Sequence, residues 1–297
     1  MTTFIGMLEA QWAEGKHVCV GLDPVEAKLP ADLRALATRA GGQRGHYTGN
    51  YMAAMLRVVQ ATKHIAACYK PNWAFFLSRG HQGLLQLEHL VQTIKEETGI
   101  PVILDCKAGD IGETNNHYAE AAFDVVGADA ITIHPYLGWE ANRPFLDRTD
   151  RGIIVLCRTS NQGGGEFQDV RVEYPDEDWE VENRRNTMNA RSKTKPLYIK
   201  VAENISDSET WNQNGNCCLV TGGTYPGEIG EIRKVAPNIP VLIPGIGKQG
   251  GDLEASVRAA RHRFLINSSS GIIFADDPRA ETEKLNDQIQ QVLATLG

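Results

Sequence analysis

Short apolar runs recur along the chain, separated by longer stretches whose apolar residues return every three or four positions. The first pattern reads as buried strand and the second as amphipathic helix. Strands are predicted over His17–Leu22, Ile65–Lys70, Val102–Lys107, Ala130–His134, Gly152–Arg158, Cys217–Thr221, Val241–Pro244 and Phe264–Asn267, and most run into a Gly, Pro, Ser or Asn turn. Helical patterns fill Tyr51–Lys63, Gly83–Thr98, Thr114–Val126, Gly227–Val235 and Leu253–Arg261. Met1 to Lys16 predicts a short amphipathic helix with Phe4, Ile5, Leu8 and Trp12 on one side. Strands that alternate with helices make βαβ units and a parallel sheet. Eight such units predict an α/β chain closed into a (β/α)8 TIM barrel rather than an open doubly wound sheet. The 297 residues fit one domain of that kind.

Two stretches break the rhythm. Arg39–Asn50 is Gly-rich and polar and predicts a long loop. Residues 161–212 predict an insertion after the fifth strand. It opens on Gly163-Gly164-Gly165, passes through a charged stretch (Glu173 to Arg185) and continues as a helix-like segment through Val201. Both read as decorations of the barrel, and the second as a candidate lid.

In parallel barrels the chemistry sits on the loops that follow the strands. The third strand runs into Asp105-Cys106-Lys107-Ala108-Gly109-Asp110. Side chains alternate faces along a strand, so Asp105 and Lys107 are predicted to point the same way. Opposite charges on a buried face are costly unless they pair or act. Lys70 ends the second strand and Asp23 follows the first, which gathers four charged groups at one mouth. Taken alone, Asp110 with Glu113 three residues on resembles a helix N-cap with its capping-box partner. His134 reads as a loop or core histidine. The loops Pro244–Gly251 and Asn267–Gly271 are rich in Gly and Ser, and such loops after strands seven and eight expose backbone N–H groups to a phosphate. No Ser–His–Asp arrangement and no H-E-x-x-H motif is present.

Composition narrows the classes further. A net charge of −7 argues against a nucleic-acid binder. No run approaches the roughly 18 apolar residues of a membrane span. No basic segment precedes an apolar one near Met1, which predicts no secretory signal. The six cysteines (Cys19, Cys68, Cys106, Cys157, Cys217 and Cys218) lie in apolar runs with no C-x-x-C pair. They predict reduced core thiols in a cytoplasmic protein rather than a zinc site.

Asp105, Lys107, Asp110, Ile111 and Thr114 meet a D-x-K-x-x-D-I-x-x-T pattern. With Val20-Gly21-Leu22-Asp23-Pro24, Tyr69-Lys70-Pro71-Asn72, Thr159-Ser160-Asn161, Thr224-Tyr225-Pro226, Pro244-Gly245-Ile246-Gly247 and Gln249-Gly250-Gly251-Asp252, the chain resembles the orotidine 5′-phosphate decarboxylase family over nearly its whole length. The likeness is to the longer bacterial-type (type 2) subgroup. It implies a lyase that converts orotidine 5′-phosphate to UMP and CO2 in de novo pyrimidine biosynthesis, with no metal and no organic cofactor. It also implies a homodimer with shared active sites. Lys70, Asp105 and Lys107 would form an alternating charge array completed by Asp110 of the second subunit, with Lys107 protonating the C6 carbanion. Asp23, Lys70 and, across the dimer, Thr114 would contact the ribose. Ser160 would face the pyrimidine, and Gln249 with the amides of Gly250 and Gly251 would hold the phosphate. Binding of that phosphate is expected to close residues 161–168 over the site.

Two positions depart from the family pattern. Ser270 stands where the eighth-strand loop usually carries a phosphate-binding arginine, and Lys248, Arg261 and Arg263 are the cations weighed as its substitutes. Ala108 stands where a larger, often basic, residue is common. Two other readings compete. One is a metal-dependent sugar-phosphate decarboxylase or aldolase of the same superfamily, which would need an acidic group where Lys70 stands. The other is a paralogue that binds a phosphate ligand without turnover, favoured by Ser270 alone.

Overall fold

A computed structural model of the chain describes residues 2–37, 50–174, 193–246 and 250–296. The strands are β1 (Val18–Leu22), β2 (Ala66–Pro71), β3 (Ile103–Ala108), β4 (Ala130–Ile133), β5 (Gly152–Arg158), β6 (Arg171–Tyr174), β7 (Lys193–Pro196), β8 (Cys217–Thr221), β9 (Val241–Ile243) and β10 (Phe264–Ser268). Eight of them form one sheet in the order β2-β1-β10-β9-β8-β5-β4-β3. Every pair in it is parallel. Single bridges between Tyr69 and Val102 and between Asn72 and Asp105 bring β2 against β3 and close the cylinder. The result is the (β/α)8 TIM barrel that the alternation of patterns predicts.

Helices over Tyr51–Thr62, Gly80–Thr98, Leu197–Ser206, Pro226–Val235, Leu253–Ala260 and Pro278–Ala294 surround it. Their ends follow local chemistry. Gly99, at φ 66°, takes the left-handed conformation that stops Gly80–Thr98. The side chains of Asp252 and Asp277 accept from the backbone N–H groups of Ala255 and Ala280 and so start the last two.

The interior of the cylinder is apolar at its base. Cys19, Cys68, Ile103, Ala130, Ile154, Cys218, Leu242 and Leu265 point inward. Phe4 and Leu8 of the first helix, α1 (Phe4–Ala13), close the N-terminal mouth, with Ile5 and Trp12 packed beside them. Burying each of these two large side chains is worth about 1.5–3 kcal/mol. A Cβ on Gly152, the first residue of β5, would run into the Phe4 ring, so this contact needs glycine there. A second apolar layer, including Leu22, Leu104, Ile133, Phe145 and Ile243, lies between the strands and the surrounding helices.

The sequence pattern and the structure differ in three places. The helix expected over Thr114–Val126 is α-helical over Glu113–Ala119 and continues as a π-helical turn over Glu120–Val125. Within 161–212, residues 197–206 form a helix that packs on β5 and β8, its Tyr198, Ile199, Ala202 and Ile205 buried. The helix runs past the Val201 of the expected segment, because Ala202 and Ile205 continue the spacing of three to four set by Tyr198. An antiparallel hairpin of β6 and β7 also lies in this stretch, unannounced because the alternation of Arg171–Tyr174 spans only four residues and Lys193–Pro196 has no apolar alternation. Most of the Arg39–Asn50 loop and of the charged stretch from Glu173 to Arg185 falls outside the described residues. All six cysteines are free, and all but Cys106 are buried. Among the described residues, no helix is long and apolar enough to cross a membrane.

Candidate active site

The C-terminal mouth of the barrel holds a carboxylate clamped between two ammonium groups. Asp105, near the end of β3, is 9% exposed. Its Oδ2 accepts from Lys70 Nζ at 2.9 Å and from Asn72 Nδ2 at 3.3 Å. Its Oδ1 accepts from Lys107 Nζ at 2.6 Å and from Thr132 Oγ1 at 2.8 Å. Four donors satisfy one buried carboxylate, which is the condition under which such a charge is tolerated inside a protein.

The environment fixes the charge states. Burial by itself would raise the Asp105 pKa, but the neighbouring Lys70 and Lys107 ammonium groups outweigh it and hold the carboxyl well below its ordinary range. Burial disfavours the Lys70 ammonium, which is 5% exposed, yet Asp105 and Asp23 reverse that effect and raise its pKa above the usual lysine value. Lys70 and Asp105 are thus fixed as an ion pair at neutral pH.

Lys107 reaches this place by an unusual backbone. Its φ of 48° lies in the left-handed region, and the β3–β4 register shifts between Leu104 and Ala108. Strict strand alternation therefore ends before Lys107. The Thr132 hydroxyl holds the turn, accepting from the Lys107 backbone N–H at 2.9 Å while donating to Asp105. The Lys107 side chain is 48% exposed, so one face of its ammonium is open to the cleft. A non-glycine residue at positive φ stores about 1–3 kcal/mol of strain, and such strain gathers at functional sites.

Two adjoining cavities open here. One, of ≈ 720 Å³, is lined by Asp23, Lys70 and Asp105 and runs past Gly245, Gly251, Ser269 and Ser270 towards Lys28 and Lys284. The other, of ≈ 520 Å³, shares Lys70, Asp105 and Pro244 and continues past Lys107 and Thr132 to Ser160, Asn161 and Phe167. Leu156, Val220 and Leu242 form its apolar wall. Together they make one cleft, charged at its centre, flat and apolar at one end and lined by Gly and Ser backbone at the other. Asp23 Oδ1 is buried beside it without a hydrogen-bond partner among the described residues. Gly251 donates its N–H to Gly245 O at 3.2 Å, and a Cβ there would meet that carbonyl at 2.5 Å, so the loop turns back on itself only with glycine.

The remaining residues singled out in the sequence lie as follows. Gly250, at φ 83°, continues the same loop, whereas Gln249 and Lys248 lie outside the described residues. Ser270 opens the short helix Ser270–Ile273. Arg263 pairs with Glu9 at 3.1 Å, which ties it to α1 rather than to the cleft. Arg261 is the C-cap of Leu253–Ala260 and is not among the residues lining either cavity. Ala108 is buried. His134 packs over Gly109, where a Cβ would strike its ring. Asp110 and Thr114 are not among the residues lining either cavity. Asp110 Oδ1 accepts from the next backbone N–H, that of Ile111, at 2.7 Å, and makes no ion pair among the described residues. It does not cap the following helix: the N-cap is Gly112, at φ 53° and with no side-chain bond, because Asn115 ties both polar groups of the Asp110 backbone instead. Thr114 is exposed on that helix.

Three neighbours receive no individual role from the sequence. Asn72 and Thr132 complete the shell around Asp105, and Arg158 anchors the segment that carries Ser160. A threonine on the inward face of a buried strand was the available signal for Thr132.

Comparison with known proteins places this geometry in a family. Residues 16–285 match the model described as "Orotidine 5'-phosphate decarboxylase / HUMPS family". The chain is 41% identical over 280 residues to an orotidine 5′-phosphate decarboxylase of Roseiflexus castenholzii, covering 93% of this chain and 90% of that one. It is 40% identical over 301 residues to one of Ralstonia nicotianae, covering 97% and 98%. The solved OMP decarboxylase of Leishmania donovani superposes with a TM-score of 0.79 at 33% identity, covering 99% of each chain. The UMP synthase of the same organism superposes equally well, and there this chain spans 57% of the longer protein. A match over most of its length, with relatives at this identity and coverage, means that the chain belongs to the orotidine 5′-phosphate decarboxylase / HUMPS family.

Proposed function

We propose that this chain converts orotidine 5′-phosphate to UMP and CO2, the step that supplies UMP in pyrimidine biosynthesis, with Lys107 as the proton donor. The observation that carries this reading is the clamp of Asp105 between Lys70 and Lys107, at 2.9 and 2.6 Å, in the wall of an open cleft. In the reaction the bond from C6 to its carboxylate breaks, CO2 departs, and the electron pair remains on C6. A fixed ammonium beside that carbon stabilises the charge as it develops, and donors of this kind are typically worth about 10²–10³ in rate. Lys107 then gives C6 a proton and recovers one from water. Asp105 keeps Lys107 oriented and, with Lys70, keeps the array charged.

The pyrimidine fits the apolar end, between Leu156, Val220 and Leu242 and beneath Ser160. The ribose then falls beside Asp23 and Lys70. The phosphate reaches the loops of Gly250, Gly251 and Ser270, with Gln249 in the same segment. Lys28 lines that end and makes no side-chain hydrogen bond or ion pair among the described residues, whereas Lys284 makes only a 3.8 Å contact with Glu281. Among the described residues, Lys28 is therefore the cation best placed to stand in for the arginine that Ser270 replaces.

A second copy of the chain completes the site in this reading. Asp110 has no cationic partner among the described residues, and the loops around it expose Ile111, Tyr136 and Leu137 by 64%, 89% and 41%. A homodimer covering that face would bring Asp110 and Thr114 to the partner's Lys107 and ribose. The barrel and its insertion act as one domain, and the free thiols suit a reducing cytoplasm. A metal-dependent reading is disfavoured because both Asp105 oxygens already accept from ammonium groups.

Assay of CO2 release from orotidine 5′-phosphate tests the proposal. Turnover is expected to be unchanged in excess EDTA, and Lys107→Ala to lose about 10³-fold or more in kcat while UMP binding stays within about tenfold. Wild-type turnover in that variant overturns the mechanism. Chelator-sensitive action on a sugar phosphate favours the metal enzyme, and binding without turnover favours the non-catalytic paralogue. Lys28→Gln is expected to raise KM about tenfold at unchanged kcat, the loss of one charge-assisted contact, and adding Ser270→Arg to restore it.

A further inference from the structure

Arg158 is the last residue of β5 and only 2% exposed, although its guanidinium is charged. A buried guanidinium is retained only where it is paired and hydrogen-bonded. Its partners come from a single segment and from one neighbouring loop. Nη2 donates to Asp169 Oδ2 at 3.0 Å, and Nε lies 2.9 Å from Asp169 Oδ1 without the alignment of a hydrogen bond. Nη1 donates to Thr159 O at 3.1 Å and to Gln168 Oε1 at 3.4 Å. The guanidinium carbon sits 4.0 Å from the ring centroid of Tyr225, in the loop after β8. The Asp169 side chain, by contrast, is 47% exposed, so the pair has one buried half and one half facing water.

These bonds pinch the base of a loop. The chain leaves the barrel at Thr159 and returns at Gln168, where the Thr159 N–H donates to Gln168 Oε1 at 2.9 Å and Gln168 Nε2 donates to Thr159 Oγ1 at 2.9 Å. Between those points Ser160, Asn161, Gly163, Gly164 and Phe167 line the cavity that also holds Lys107. The triple glycine belongs to the same arrangement. A Cβ on Gly164 would meet Arg158 Nη1 at 2.9 Å and Thr159 Oγ1 at 3.0 Å, and one on Gly165 would meet Asp169 Oδ2 at 2.5 Å. A side chain at either position would push the Arg158 guanidinium or the Asp169 carboxylate out of its present place.

We propose that Arg158 is a positioning residue: through Asp169 and Gln168 it pins the two ends of residues 159–169 and so sets how they fold over the reacting end of the cleft. The inference rests on the decarboxylase reading for its kinetic consequence, and on the geometry alone for the loop itself. Arg158 touches no reacting atom in this account. It sets where Ser160 stands.

Asp169→Ala and Arg158→Lys separate this role from a general contribution to stability. Asp169→Ala removes the exposed half of the pair, and Arg158→Lys keeps the charge but not the planar fork. In both, amide hydrogen exchange of residues 160–168 without ligand is expected to rise tenfold or more while exchange in β1 and β10 is unchanged. Both are expected to lose about tenfold in kcat/KM for orotidine 5′-phosphate, and the double variant to lose no more than either alone, because the two residues act as one unit. Unchanged loop exchange overturns the proposal. So does an equal rise throughout the barrel, which marks a purely structural residue. Should the wild-type chain release no CO2, the decarboxylase reading fails, and the exchange measurement still decides the clasp.

Discussion

The inward-facing positions of the barrel divide into two arcs at the level of the cleft. On β2, β3, β4 and β10, a step of two residues towards the C-terminal mouth replaces an apolar residue by a polar one. Cys68 gives way to Lys70, Ile103 to Asp105, Ala130 to Thr132, and Leu265 to Asn267. On β5, β8 and β9 the interior stays apolar, with Ile154 followed by Leu156, Cys218 by Val220, and Leu242 alone. The backbone is the same in both arcs, so the side chains alone decide that one wall carries charge and the other offers a flat surface to a ring. The comparison teaches that a charged layer is sustainable inside a cylinder only if each member satisfies its neighbours. The layer beneath must in turn supply the hydrophobic stabilisation that the charged layer does not.

The largest test of that division is Asp105→Ala. It leaves Lys70 buried with Asp23 as its remaining carboxylate, and breaking a buried pair in this way costs about 3–5 kcal/mol. A fall in Tm is expected together with loss of turnover, and an unchanged Tm breaks the comparison. pH sharpens it. The Asp105 carboxyl is held below its unfolded value of about 3.9, so its contribution is present above about pH 4 and is lost as pH falls below that. Lys70 is raised above its unfolded value of about 10.4, so its share is present below about pH 10 and is lost as pH rises further. The share of stability owed to this pair should therefore be constant between those limits, and Asp105→Asn should remove its part of the acid-side loss.

Thr132→Val comes next. It removes the hydroxyl that donates to Asp105 and accepts from the Lys107 N–H, leaving a backbone donor unpaired at a cost of about 1–3 kcal/mol. With the strained turn loosened, kcat should fall about tenfold or more while KM changes little. An equal change in both sinks the idea that Thr132 sets the position of Lys107. The smallest effect on activity is expected from Gly152→Ala at the opposite mouth. Overpacking against Phe4 should cost about 1–3 kcal/mol in urea denaturation without altering kcat/KM. A fall in kcat/KM there shows that the two ends of the barrel are not independent.

The arcs also show what was legible in the sequence. β5 and β8 were bounded correctly because an apolar run meets a hard edge at each end, and the polar arc announced itself at Lys70 and Asp105 as charges ending apolar strands. Lys107 was assigned to the right face by alternation that, at φ 48°, it does not follow. Thr132 stayed hidden because threonine is an ordinary strand residue, and its role depends on a strand 27 residues away. Arg158 read as the end of a strand, since its partners lie 10 and 11 residues further on, beyond a turn whose path no local pattern gives. Asp110, taken alone, resembles a cap because the spacing to Glu113 is all that its immediate neighbours offer. The rest needed three-dimensional proximity, which periodicity does not encode.

The cylinder is thinnest between β2 and β3, where two lone bridges replace a continuous ladder. Asn72 and Asp105 form one of those bridges, and the Lys70–Asp105 ion pair crosses the same seam. The groups that would handle the substrate are thus also the stitches that hold the circle shut. Any breathing of the barrel at this join would alter the spacing of its charges directly.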